Sequence, residues 1–125
     1  MANRVLLIDK DMEFINLARA GLDRRGHDVE IALQGETGVE IVAHRRVDVV
    51  FLSTELPDLS SGEVLKRIME LKPGTLVIAA GTNPTKDRLF QTLEKGIVGY
   101  LEKPATEESF FVELGRALQS RYATV

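Results

Sequence analysis

The sequence predicts an α/β domain, a doubly wound five-stranded parallel sheet with helices on both faces. Three observations carry that expectation. Short continuous apolar runs rich in β-branched residues read as strands buried on both faces. Longer stretches with apolar residues at helical spacing lie between them. The two kinds of segment alternate strictly over 125 residues, a length suited to one domain with a single core. Such alternation gives right-handed crossovers, which place helices on both sides of the sheet.

The elements follow in order. Val5-Leu6-Leu7-Ile8 is the first strand, stopped by Asp9. Phe14, Leu17, Ala18, Gly21 and Leu22 then share one helix face, with Asp11 as N-cap and Gly26 as stop. Val29-Glu30-Ile31-Ala32 is a weaker strand suited to a sheet edge, and Gly35 to Ala43 is a short helix. Val47-Asp48-Val49-Val50-Phe51-Leu52 is the third strand. Val64, Leu65, Ile68 and Leu71 make the next helical stripe, ended by Lys72-Pro73-Gly74. Leu76-Val77-Ile78-Ala79-Ala80 is the fourth strand, and Lys86 to Lys95 the fourth helix, closed by Gly96. Gly99-Tyr100-Leu101 is a second edge-type strand. The fifth helix carries Phe110, Phe111, Leu114, Ala117 and Leu118, with Thr106 as cap and Glu107 and Glu108 at the positive end of its dipole.

Composition narrows the function classes. A net charge of −3 offers no sign of the basic face that nucleic-acid binding needs. No apolar run approaches the roughly 20 residues that span a bilayer. The opening apolar stretch is too short for the core of a signal peptide, so a cytoplasmic protein is expected. With no cysteine, disulfides and thiol chemistry are excluded.

In a sheet of this kind ligands bind beyond the carboxyl ends of the strands. The residues there are Asp9, Lys10 and Asp11 after the first strand, Ser53, Thr54 and Glu55 after the third, Gly81 and Thr82 after the fourth, and Glu102, Lys103 and Pro104 after the fifth. Strand ends are commonly polar simply because they meet water. It is the joint presence of Asp9 and Lys103-Pro104 that marks this rim as a candidate site. His27 and His44 lie away from it and read as surface residues.

Val5 to Asp9, Val47 to Pro57 and Gly96 to Pro104 resemble the three signature stretches of the response-regulator receiver domains of two-component signalling, and their spacing fits from Arg4 to about Leu118. The resemblance implies the flavodoxin-like, CheY-like (βα)5 receiver fold. The strand order 2-1-3-4-5 is carried over from those known folds. It also implies a site in which an acid pair holds Mg²⁺, an aspartate ending the third strand accepts a phosphoryl group from a histidine kinase, and a hydroxyl residue and a lysine hold the phosphate. By that mapping Asp9 is the first acid, Lys103 the lysine, Pro104 follows a cis bond, and Tyr100 is the aromatic that shifts with the phosphate.

Three positions depart from the pattern. The second acid is Lys10, although Asp11 follows it; the acceptor is Ser53; the hydroxyl position is Gly81, with Thr82 next to it. Asp9, Lys10, Ser53 and Lys103 together leave one positive charge in excess, where the family's set is negative. Mg²⁺ prefers carboxylate oxygens, so poor Mg²⁺ binding and no cofactor are expected. Lys10 either stands beside Asp9 as a fixed cation or points to water. A serine hydroxyl gives a stable ester rather than a labile acyl phosphate and needs a base, which is not evident here.

The expected function is therefore that of a pseudo-receiver in a two-component or phosphorelay system, acting by phosphorylation-independent protein–protein interaction. Its partner would be a kinase, an effector or a second copy. The implied contact face is the fourth helix, fifth strand and fifth helix, with Phe90, Tyr100 and Val112 as switch and anchor residues. Partial burial at a helix edge is the plainer role for Phe90 and Val112. Two alternatives remain at this level: a phosphate-accepting receiver with a displaced acceptor, and a Ser–Lys hydrolase at Ser53. The second lacks nucleophile-elbow glycines around Leu52-Ser53-Thr54, and no enzyme activity is expected.

Overall fold

The computed structural model describes residues 2–82 and 96–123. Nine elements are described: β1 (Arg4–Ile8), α1 (Met12–Arg24), β2 (Asp28–Ala32), α2 (Gly35–His44), β3 (Val49–Ser53), α3 (Ser61–Leu71), β4 (Leu76–Gly81), β5 (Gly99–Glu102) and α4 (Glu107–Ala123). The expected helix Lys86–Lys95, with Phe90, lies outside the described residues.

All five strands pair in parallel in the order β2-β1-β3-β4-β5. The central strands β3 and β4 are buried throughout and β1 is buried after Arg4, which accounts for their unbroken apolar runs. The two weak strands, β2 and β5, are the edges and are only partly buried.

Side chains alternate across the sheet and split the core in two. Val5, Leu7 and Phe51 face α1 and α4, whereas Leu6, Ile8, Val50 and Leu52 face α2 and α3. On the first side the Phe51 and Phe110 rings stack, their centroids 4.3 Å apart, and Phe14 tilts against both. Phe111 lies outside this stack, under the Arg25 guanidinium at 3.6 Å.

The helix ends follow their capping chemistry. Asp11 accepts a hydrogen bond from the Phe14 N–H, and Gly26 takes the left-handed conformation after α1, with φ 76°. Ser60 caps α3 through the Glu63 N–H, and Thr106 and Ser109 cap each other across the first turn of α4.

Four details differ from the sequence pattern. β3 begins at Val49, and Asp48 just before it is buried, accepting the Arg4 N–H at 2.8 Å. Ile15, next to the predicted stripe of α1, is fully buried. Leu71 is exposed because α3 meets the sheet through Val64, Leu65 and Ile68 and ends there. His27 is half-buried, and its Nδ1 accepts the Asn3 N–H, while His44 is exposed as expected.

The order of strands reverses between β1 and β3. The carboxyl ends of β1, β3, β4 and β5 therefore open onto one crevice.

Candidate functional site

That crevice is a cavity of about 320 Å³ lined by Asp9, Lys10, Asp11, Ser53, Thr54, Glu55, Gly81, Thr82 and Lys103. Of the strand-end residues read from the sequence, all but Glu102 and Pro104 are on its wall.

Asp9 follows β1 and is buried, its N–H donated to the Ala32 carbonyl. Its Oδ1 accepts the Asp11 N–H at 3.0 Å. Its Oδ2 accepts from Lys103 Nζ at 2.7 Å. The same ammonium lies 3.3 Å from Asp11 Oδ2, so one cation serves both carboxylates. Lys103 is delivered from the end of β5, where its N–H donates to the Gly81 carbonyl and its bond to Pro104 is cis. Its side chain is 9 % exposed, and Nζ stands 4.8 Å from the centre of the Phe14 ring. Partial burial pushes the Asp11 pKa up, but the Phe14 N–H and the Lys103 charge outweigh it and hold the carboxyl below its ordinary value. Lys10 is exposed and makes no ion pair among the described residues. Of the two alternatives open for Lys10, the structure takes the solvent-facing one; the cation beside Asp9 is Lys103.

Ser53 ends β3 and is buried. Its hydroxyl donates to the Glu55 carbonyl at 2.9 Å and accepts the Glu55 N–H at 3.0 Å. Both bonds turn back onto its own loop. Thr54 donates its N–H to the Ala80 carbonyl, which ties the loop to β4.

Gly81 is where sequence reading missed a partner. A β-carbon there would meet the Thr54 hydroxyl and would come within 2.8 Å of the Tyr100 hydroxyl. Thr54 therefore brings its hydroxyl from the end of β3 into the space beside Gly81. Thr82 is exposed at the rim. The absence of a side chain at position 81 was the available signal, but only the β3–β4 register reveals which hydroxyl fills the space.

A second missed residue lies in the loop after β3. The Asp58 carboxylate accepts the Gly35 N–H at 2.8 Å and the Glu36 N–H at 2.9 Å, capping α2 from the loop after β3. Gln34, the N-cap by position, makes no side-chain cap bond. The Glu36 and Gly35 amides hold the Asp58 pKa below its usual value.

Away from the crevice, Tyr100, Lys103, Pro104, Thr106, Val112 and Arg116 help line an open groove of about 650 Å³ along β5 and α4. Val112 is 45 % exposed, and Tyr100 is half-buried against the α2–α3 side of the core. Among the described residues no helix is long and apolar enough to cross a membrane. Among them, too, no group of three or more His, Cys, Asp or Glu is placed to hold a metal.

Residues 5–114 match the response regulator receiver domain family. The chain belongs to that family. It is 29 % identical to the transcriptional regulatory protein AfsQ1 of Streptomyces coelicolor, covering 97 % of this chain and 50 % of that protein. It is 30 % identical to protein-glutamate methylesterase/protein-glutamine glutaminase 1 of Anaeromyxobacter dehalogenans, covering 90 % of this chain and 33 % of that one. The receiver domain thus spans half or less of these two relatives. Its backbone superposes on a CheY-like receiver domain protein from Methanospirillum hungatei with a TM-score of 0.88 over 98 % of both chains, at 21 % identity. This is the CheY-like fold of two-component signalling, in the strand order expected.

Proposed function

We propose that this receiver domain is a pseudo-receiver, one that signals by protein–protein contact without an aspartyl phosphate. The observation that carries the reading is at the end of β3. The residue there is Ser53, and its hydroxyl is engaged on both sides by the Glu55 backbone. A hydroxyl needs a base to become a nucleophile, and the lysine that might serve is committed to Asp9 and Asp11. The same two facts weigh against a Ser–Lys hydrolase. Asp11 and Glu55 also line the cavity, so a displaced acceptor is the second reading, and it predicts an acyl phosphate on one of those carboxylates.

Mg²⁺ does not fit these residues. It wants a near-octahedral set of oxygens, and here Asp9 and Asp11, two of the three carboxylates lining the crevice, already converge on an ammonium. The reading accordingly includes no cofactor, a single domain over residues 1–125, and a cytoplasmic setting.

The partner is a protein of the signalling pathway: a kinase, an effector or a second copy of the chain. It docks on the face of β5 and α4; the Lys86–Lys95 segment that the sequence reading adds to this face lies outside the described residues. Exposed Val112 beside the open groove at Tyr100 supports that face. Without a phosphate the domain has no ligand energy with which to shift between two states, so one conformer must already suit the partner.

Titration with a kinase or effector, chosen by sequencing the neighbourhood of the gene, tests the reading. Ser53→Ala should leave the affinity unchanged, whereas Tyr100→Ala or Phe90→Ala should weaken it by about 1 kcal/mol or more. Loss of binding in Ser53→Ala alone, with all variants folded, moves the functional surface back to the crevice.

A further inference from the structure

Arg4 opens β1, Asp28 opens β2, and Arg45-Arg46-Val47 leads from α2 into β3. The parallel register brings these strand starts together, at the end of the sheet opposite the crevice. They surround a cavity of about 310 Å³ whose lining includes Arg4, Asp28, Glu30, Arg45, Arg46 and Val47. It shares no residue with the crevice or with the groove along β5 and α4. Three guanidiniums against two carboxylates leave one positive charge in excess on this lining. Arg45 is bonded to Glu30. The other two arginines are loosely held. Arg4 Nε lies 3.7 Å from Asp28 Oδ2, and Arg46 Nη2 lies 3.5 Å from Asp48 Oδ2, both longer than a good N–H···O bond. Asp48 is buried, and the same oxygen already accepts the Arg4 N–H at 2.8 Å. A guanidinium carries five N–H donors in a rigid fork, so Arg4 and Arg46 keep most of theirs unspent.

We infer that this cavity binds the phosphate group of a small molecule, held by the forks of Arg4 and Arg46 with Arg45 as the third positive charge. Its volume is that of the smaller ligand sites, which start at about 300 Å³. The Arg4 and Arg46 side chains are 52 % and 69 % exposed, so they close on a ligand without unpacking the core. A phosphate suits them better than a carboxylate. Its tetrahedral oxygens accept from forks that arrive from β1 and from the α2–β3 connection at once, whereas a carboxylate offers two oxygens in one plane. The carboxyl end of α2 also lies here and by itself disfavours an anion; Arg45 and Arg46, which follow it directly, offset that end. The site involves neither Ser53 nor Tyr100, so it stands apart from the pseudo-receiver reading.

Amide NMR shifts of the full chain, followed during titration with phenyl phosphate, inorganic phosphate and benzoate at constant ionic strength, test this directly. Phenyl phosphate should give saturable shifts at Arg4, Val29, Glu30 and Arg45 to Val47, and none at Ser53 to Glu55. Arg46→Gln and Arg4→Gln should each weaken its binding about tenfold or more, as loss of a charge-assisted hydrogen bond does. If Arg4→Gln disturbs β1, Arg46→Gln carries the test, since that side chain stands mostly in solvent. Tighter binding of phenyl phosphate than of inorganic phosphate supports the site as one for an organic monoester; equal binding supports it as one for free phosphate. A wild type without saturable shifts at these amides for either phosphate overturns the inference. So does a folded Arg46→Gln that keeps wild-type affinity, and so does benzoate that binds as well as the phosphates.

Discussion

The hydroxyl of Tyr100 stands over Gly81, 2.8 Å from where a β-carbon on that residue would lie. The Thr54 hydroxyl closes the same space from the other strand. Glycine is what allows the two to approach, so position 81 and the placement of Tyr100 are one feature.

Gly81→Ala should therefore displace Tyr100. The Thr54 side chain, whose Oγ1 and Cγ2 both face the added methyl, must shift, and the tyrosine ring must move with its hydroxyl. Overpacking of this kind destabilises by about 1–3 kcal/mol. With Tyr122→Phe as background, leaving Tyr100 as the remaining tyrosine, its ring resonances should move on adding Gly81→Ala. Unchanged ring resonances would show that Gly81 does not set the tyrosine's position.

The two neighbouring phenylalanines of α4 should respond differently. Phe110 is fully buried and stacked on Phe51, whereas Phe111 is half-buried with Arg25 over its face. Phe110→Ala should cost about 3–5 kcal/mol in urea denaturation, and Phe111→Ala distinctly less. Equal losses would mean that the Arg25 contact carries more than its exposure suggests.

Asp58 gives a pH dependence with a definite sign. Its folded pKa is lowered by the Glu36 and Gly35 amides. A depressed folded pKa means stability that is present above the unfolded value of about 3.9 and lost as pH falls through the folded one. Wild type should thus lose more stability on acidification below that value than Asp58→Asn does. Parallel pH–stability curves for the two proteins would remove Asp58 as the cap of α2.

Much of this was legible in the sequence because the strongest signals are local. The runs at Val5–Ile8, Val49–Leu52 and Leu76–Ala80 reflect burial on both sheet faces, and the caps at Asp11 and Thr106 are read within a few residues. The wall of the crevice followed, since strand ends in a parallel sheet must converge. What sequence did not give is pairing across long separations. Asp58 capping α2, Thr54 filling the space at Gly81, and Lys103 rather than Lys10 meeting Asp9 all depend on which loops the fold brings together.

The central claim is that this receiver works without an aspartyl phosphate. The most direct test is intact-mass measurement after incubation with a small acyl-phosphate donor and Mg²⁺, beside a receiver that carries the usual aspartate. The account predicts that this protein keeps its unmodified mass while the control gains a phosphoryl group. An added phosphoryl group that is lost in alkali and maps to Asp9, Asp11 or Glu55 would contradict it.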